Sequence, residues 1–149
     1  MARPIAAALL ALGTLWAAVV AATPCVDLAP SRPALRAARA IGRVICHQRA
    51  DRSFAACGQP WAVCGRCAGL YAGVPLALAG LVLPAVRRAR SWTEWRRIVL
   101  TAAAPTGALW LAEVSGVLDP GTPLRFAAAV PLGAAVAAWL AAVARGDLR

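Results

Sequence analysis

Residues 126–144 read FAAAVPLGAAVAAWLAAVA, nineteen positions without a charge. A helix crossing the hydrocarbon core of a bilayer needs about 17–25 such residues, because every backbone polar group must be satisfied inside the segment. Three other runs share this character. Ile5–Val26 covers 22 residues, Ala68–Val86 covers 19, and Ile98–Leu118 covers 21 with one carboxylate, Glu113, inside it. A helix of a soluble bundle carries a charged stripe at helical spacing, and these runs carry none. The sequence therefore predicts an all-α, polytopic membrane protein. Four transmembrane helices (about 5–26, 68–86, 98–118 and 126–144) form a single membrane domain over 1–149, with a Cys/His-containing loop over 27–67. The lipid bilayer is its first partner.

Composition points the same way. The chain has 149 residues, is 61% hydrophobic with mean hydropathy +0.67, and still carries a formal charge of +10. A soluble domain uses about 45–50% apolar residues. The apolar content excludes disorder, and five cysteines in so long a chain exclude a small disulfide scaffold. Basic chains often bind nucleic acid, but nothing aromatic is interleaved with Arg32, Arg36, Arg39 and Arg43 in the 27–67 loop, so no nucleic-acid partner is expected. Homo-oligomerisation or a membrane protein partner suits a bundle of only four spans.

The first run also has the form of a signal peptide, with Arg3 ahead of it and Val20-Ala21-Ala22 near its end. Its length favours a retained span. Orientation follows from arginine density. The two sides of a four-span bundle tie at eight arginines each, but Arg87, Arg88, Arg90, Arg96 and Arg97 crowd one short loop. The positive-inside rule puts that loop in the cytoplasm and the Cys/His loop on the extracytoplasmic side of the cell membrane.

Within the 27–67 loop, Ser31 is a plausible helix N-cap, Pro33 lies in the first turn, and Arg32, Arg36, Arg39 and Arg43 recur at helical spacing. This predicts an amphipathic helix resting on anionic headgroups or packed over the bundle. Trp61, Trp92 and Trp95 fall near predicted interfaces, where an aromatic belt accounts for them.

The chemistry follows that helix. Cys64 and Cys67 are three apart, on one face at the first turn of the second span. A helix N-terminus and Arg66 both favour the thiolate, the form that binds soft metals and attacks disulfides. His47, the only histidine, adjoins Cys46. Cys46, His47, Cys64 and Cys67 together offer the four N/S ligands that zinc takes, with copper the second choice for so soft a set. A thiol–disulfide oxidoreductase built on Cys-Gly-Arg-Cys is the alternative. It needs a second pair, Cys46 with Cys57 or Cys25 with Cys57. A structural or partner-binding subunit with static disulfides is the third reading. Cys-x-x-Cys-His is absent, which excludes covalent c-type haem. No phosphate-cradling loop, Ser/His/Asp arrangement or hydrolytic carboxylate pair is present, so no catalytic residue is assigned.

Glu113 falls about one turn from the outer end of the third span, given a rise of roughly 1.5 Å per residue. An intramembrane carboxylate needs a partner, and Arg125, Arg52 and Arg66 are the candidates. Glu113 either ties two helices together through Arg125 or serves the thiolates as an extra ligand or proton acceptor.

Cys46-His47-Gln48, Arg52-Ser53-Phe54 and Cys64-x-Arg66-Cys67-x-Gly69-x-Tyr71-x-Gly73 together resemble the signature of the domain-of-unknown-function 2085 family, at twelve positions over 28 residues. Arg125 ahead of the last span is a further match. Where that pattern expects Asp-Gly in the third span, this chain has Thr106-Gly107. The resemblance implies a small integral membrane protein and names no reaction.

Overall fold

The computed structural model describes residues 2–26, 33–80 and 90–148. The Ser31 cap, Arg32, Arg87, Arg88 and the 81–86 end of the second expected span lie outside them. The described residues form α1 (Ala2–Val26), α2 (Pro33–Ile45), a 3-10 turn (Ala50–Arg52), a hairpin of β1 (Ala55–Ala56) and β2 (Gln59–Pro60), α3 (Gly65–Gly80), α4 (Trp92–Val114) and α5 (Thr122–Arg145). The protein is mostly helical. Two helices are long and apolar enough to cross a membrane, Pro4–Cys25 and Thr122–Arg145.

The frame is the seam between α3 and α5, which run parallel. A methyl group added at Gly69 would collide with the Phe126 carbonyl, and one at Gly73 with the backbone of Gly133 and Ala134. Gly133 in turn lies against the Leu70 carbonyl. Small residues at these three points let one backbone touch the other, the packing mode that works where lipid supplies no hydrophobic drive.

Helix α1 runs antiparallel to that pair. Ala6 and Leu10 near its start pack with Ala77, Ala137 and Ala141, near the ends of α3 and α5. Val20 near its end packs with Cys46, Val63 and Ala68, and Trp16 meets Tyr71 edge to face at 6.1 Å. The opposite face stays open, with Leu9, Leu12 and Leu15 at least half exposed. Exposed apolar surface on this scale suits a lipid environment.

Helix α4 starts six residues before the 98–118 run, because Ser91 and Glu94 form a capping box at its N-terminus. It ends at Val114, where Gly116 (φ 71°) turns the chain back toward α5. Trp95 is its one buried residue, covered by the Arg90 guanidinium 5.2 Å from the ring centroid. Trp92 meets Trp139 edge to face near the end of α5, so α4 and α5 are antiparallel. On α2, Arg36 and Arg43 are exposed while Arg39 reaches the Pro60 carbonyl at 3.2 Å. Ile41, Val44 and Ile45 are exposed as well, so α2 presents both charge and apolar surface outward.

The ends of α1 and α4 and the starts of α3 and α5 thus meet at one end of the molecule. The sequence motif gathers there.

Candidate metal centre and arginine cavity

Cys46 follows the last turn of α2, and its amide still reaches the Gly42 carbonyl at 2.9 Å. Two residues on, Gln48 adopts φ 49°, a left-handed turn that few non-glycine residues take. The turn brings the Gln48 N–H to 3.5 Å from Cys46 Sγ. The Gln48 side-chain amide then donates to the Arg39 carbonyl at 2.9 Å and the Ala62 carbonyl at 2.6 Å. One side chain so ties the end of α2 to the segment leading into α3. Gly42 makes room for it, since a Cβ there would stand 2.7 Å from the Gln48 amide nitrogen.

Cys64 stands just before α3 and Cys67 in its first turn. The Cys64 N–H donates to Cys46 Sγ at 3.1 Å, so that sulfur accepts two backbone N–H groups. The sulfurs of Cys46, Cys64 and Cys67 all lie within 4.8 Å of one another. Hydrogen bonds to a sulfur favour its charged form. The Cys67 thiol beside Cys64, aided by the backbone amides of Cys67 and Arg66, pulls the Cys64 thiol down to about 5. The same partnership, with burial, pushes Cys67 well up. Three sulfurs so arranged can hold one metal ion.

The other two cysteines are apart from this set. Cys25 at the end of α1 and Cys57 in the hairpin form a disulfide. Cys57 (φ 50°) and Gly58 (φ 73°) are the two turn residues of the β1–β2 hairpin, and a two-residue turn of this hand needs positive φ at both. Of the second pairs considered for the oxidoreductase reading, the structure forms Cys25 with Cys57.

His47 is exposed and lies outside the three-sulfur group. It lines a neighbouring cavity of about 350 Å³ together with Cys64. Glu113, in the last turn of α4, is the charge centre of that cavity. Its carboxylate accepts from Arg52 at 2.5 Å, Arg66 at 3.0 Å and Arg125 at 3.2 Å. Arg125 is buried and also reaches Asp119 at 2.5 Å. All three arginine candidates for Glu113 therefore meet it at once. Thr106 lies seven residues earlier, about 10 Å along the axis at a rise of roughly 1.5 Å per residue, and takes no part.

Sequence reading assigned no role to Gln48, Arg49, Trp110 or Asp119. Gln48 was visible within Cys-His-Gln. The others carry no spacing signal: Trp110 comes from α4 itself, Asp119 from the turn after it and Arg49 from the cap of the 3-10 turn.

The fold and site define a helical membrane protein with a cysteine cluster at one end of its bundle. The chain belongs to the family described as predicted membrane proteins, DUF2085, whose profile matches residues 46–139. That range takes in the three clustered cysteines, Glu113 and its arginines. Similar chains include an uncharacterised protein of Methanocaldococcus jannaschii, 32% identical over 91 residues, which cover 58% of this chain and 55% of that one. Another, from Methanothermobacter thermautotrophicus, is 28% identical over 96 residues, covering 64% of this chain and 83% of its own. The chain thus spans about half the length of the first relative. No solved structure matches.

Proposed function

We propose that this protein is a four-span membrane protein that holds one metal ion at the extracytoplasmic end of its bundle. The carrying observation is the convergence of three sulfurs within 4.8 Å, one of them accepting two backbone N–H groups. Cys46, Cys64 and Cys67 are the thiolate ligands. His47 lines the adjoining cavity outside this group and would supply a fourth by turning toward the sulfurs. Zinc fits a Cys₃His set in tetrahedral geometry, and cuprous copper is the second choice because three thiolates alone suit a soft ion.

Helices α1 and α5 supply two spans, and α3 and α4, running between the same two ends, supply the others. Packing of α1 into the core with α3 and α5 supports its being a retained span. The Cys25–Cys57 disulfide supports an oxidising compartment for the loop that carries it.

Metal analysis of the protein purified in detergent under reducing, chelator-free conditions tests the reading. One equivalent of metal is expected, lost in Cys46→Ser and Cys64→Ser. Protein free of metal after growth with zinc and with copper would overturn it.

The lowered Cys64 thiol next to Cys67 favours a second reading, a thiol–disulfide oxidoreductase. It requires Cys64 and Cys67 to alternate between dithiol and disulfide in cells, which differential alkylation would detect. Thiols that stay free throughout would dismiss it.

A further inference from the structure

The cavity beside the cysteines is unbalanced in charge. Arg49, Arg52, Arg66 and Arg125 line it against a single carboxylate, Glu113. Asp51 and Asp119 pair with Arg49 and Arg125 from outside, but both are mostly exposed and screened by water. Even with those two carboxylates counted, positive charge remains in excess.

Donors are in excess too. A guanidinium carries five N–H donors and no acceptor. The two oxygens of Glu113 are divided among three guanidinium groups, which leaves most of those donors without a partner in the carboxylate. Arg66 Nε is buried with no hydrogen-bond acceptor among the described residues. A buried donor without an acceptor is costly, and a junction this rich in donors favours a ligand that only accepts.

The cavity wall is not polar throughout. Trp110 and Val114 of α4 also line it, and both are at least half exposed on the outer face of that helix. The space therefore has a cationic inner wall and an apolar edge open to the surroundings of the bundle. A volume of about 350 Å³ suits a small ligand and exceeds what a water or two requires.

We infer that this cavity binds a phosphate-type oxyanion, held by Arg52 and Arg66 while Glu113 and the buried Arg125 hold those two side chains in place. Guanidinium groups match the spacing of phosphate oxygens and pair with them through two hydrogen bonds at once. The phosphate is either free in solution or the headgroup of an anionic lipid whose chains leave along the Trp110 edge. Cys64 and His47 also line the cavity, but the inference rests on the arginines and Glu113 and does not depend on the metal reading.

Calorimetric titration of the full chain in neutral detergent with inorganic phosphate tests the first source. It is run on chelator-treated and on metal-loaded protein, which separates this inference from the metal proposal. Native mass spectrometry from nanodiscs of phosphatidylglycerol or phosphatidylcholine tests the second. Saturable phosphate binding, weakened about tenfold in Arg52→Gln by loss of a charge-assisted contact, would support the free anion. Retention of phosphatidylglycerol but not phosphatidylcholine, lost in Arg52→Gln, would support the headgroup. Should Arg52→Gln fail to fold, Arg49→Gln, at the exposed rim, is expected to weaken binding by a smaller factor. Absence of both ligands, or undiminished binding in the variants, would overturn the inference.

Discussion

Along α3 and α5 backbone meets backbone; where α4 ends beside the same two helices, one carboxylate meets three guanidinium groups. Both contacts hold helices side by side, and their tolerances are opposite. At the seam, Gly69, Gly73 and Gly133 leave no room for a methyl group. At the junction, long arginine side chains span the gap and leave a cavity open. A seam of this kind fixes two helices rigidly and can carry no ligand. A charged junction fixes less and retains unused donors. The twelve-position signature serves both: its glycines belong to the seam, its arginines to the junction, and its cysteines stand where the two meet.

The largest effect should come from filling the seam. Gly133→Leu places a side chain against the Leu70 backbone, which cannot move aside as a side chain would. Overpacking costs about 1–3 kcal/mol where neighbours can yield and more where the obstacle is backbone. We expect no monodisperse protein in detergent by size-exclusion chromatography. Gly107→Leu on α4, where nothing lies within 4 Å of an added Cβ, should elute as the wild type does. Equal behaviour of the two variants would break the contrast between seam and periphery.

At the junction the expected loss is smaller and reversible. Glu113→Gln leaves three arginines without their shared carboxylate, and orphaned buried charges cost about 3–5 kcal/mol. The lower end applies, because Arg52 and Arg66 retain access to water. Adding Arg66→Gln to Glu113→Gln should return part of the lost stability, read from denaturant midpoints. Additive losses in the double variant would mean that the charges act independently, and the junction would then not be one network.

These contacts differ in how well the sequence announces them. A charge-free run of nineteen residues is legible because it is long and apolar enough to cross a bilayer. Glu113 was legible as a residue in need of a cation, since it is the one charge in an otherwise uncharged run. Gly69 and Gly73 were visible but uninformative, because an alanine-rich chain offers small residues everywhere. Only the third glycine, Gly133 on the facing helix, shows that they form a seam. The placement of Cys46 and His47 was hidden for another reason. Adjacent residues were expected to act together, but the left-handed turn at Gln48 directs the Cys46 sulfur to Cys64 and leaves His47 beside the arginines. No propensity signals positive φ at a glutamine. The Cys25–Cys57 link depends likewise on a hairpin whose strands, Ala55–Ala56 and Gln59–Pro60, show no alternation of polar and apolar residues.

The disulfide extends the comparison, because it ties α1 to the hairpin at the same end. Cys25 and Cys57 are 32 residues apart, and closing a loop of that size stabilises by about 2–4 kcal/mol. Replacing both with serine should lower the denaturant midpoint accordingly while leaving the metal stoichiometry of the Cys46, Cys64 and Cys67 set unchanged. Loss of metal along with stability would join the two cysteine sets into one functional unit and favour the redox reading.

The smallest effect is a slope rather than a loss. An ordinary cysteine has its thiol pKa near 8.5, so its thiolate fraction falls about tenfold for each pH unit below that. Cys64 is held down to about 5 by the neighbouring Cys67 thiol and by backbone amides at the start of α3. Its thiolate therefore persists above pH 5 and is lost only as pH falls through that value. In metal-free, reduced protein the rate of iodoacetamide reaction at Cys64 should change less than about twofold between pH 6 and 8. Over the same interval Cys67, raised by the charge it stabilises, should remain almost unreactive. Replacing Cys67 with alanine removes the donor that depresses Cys64, and its profile should then steepen toward that of an ordinary thiol. A flat profile that survives Cys67→Ala would assign the depression to the helix start instead. The cluster would then owe its reactivity to the backbone of α3, the same element whose glycines build the seam.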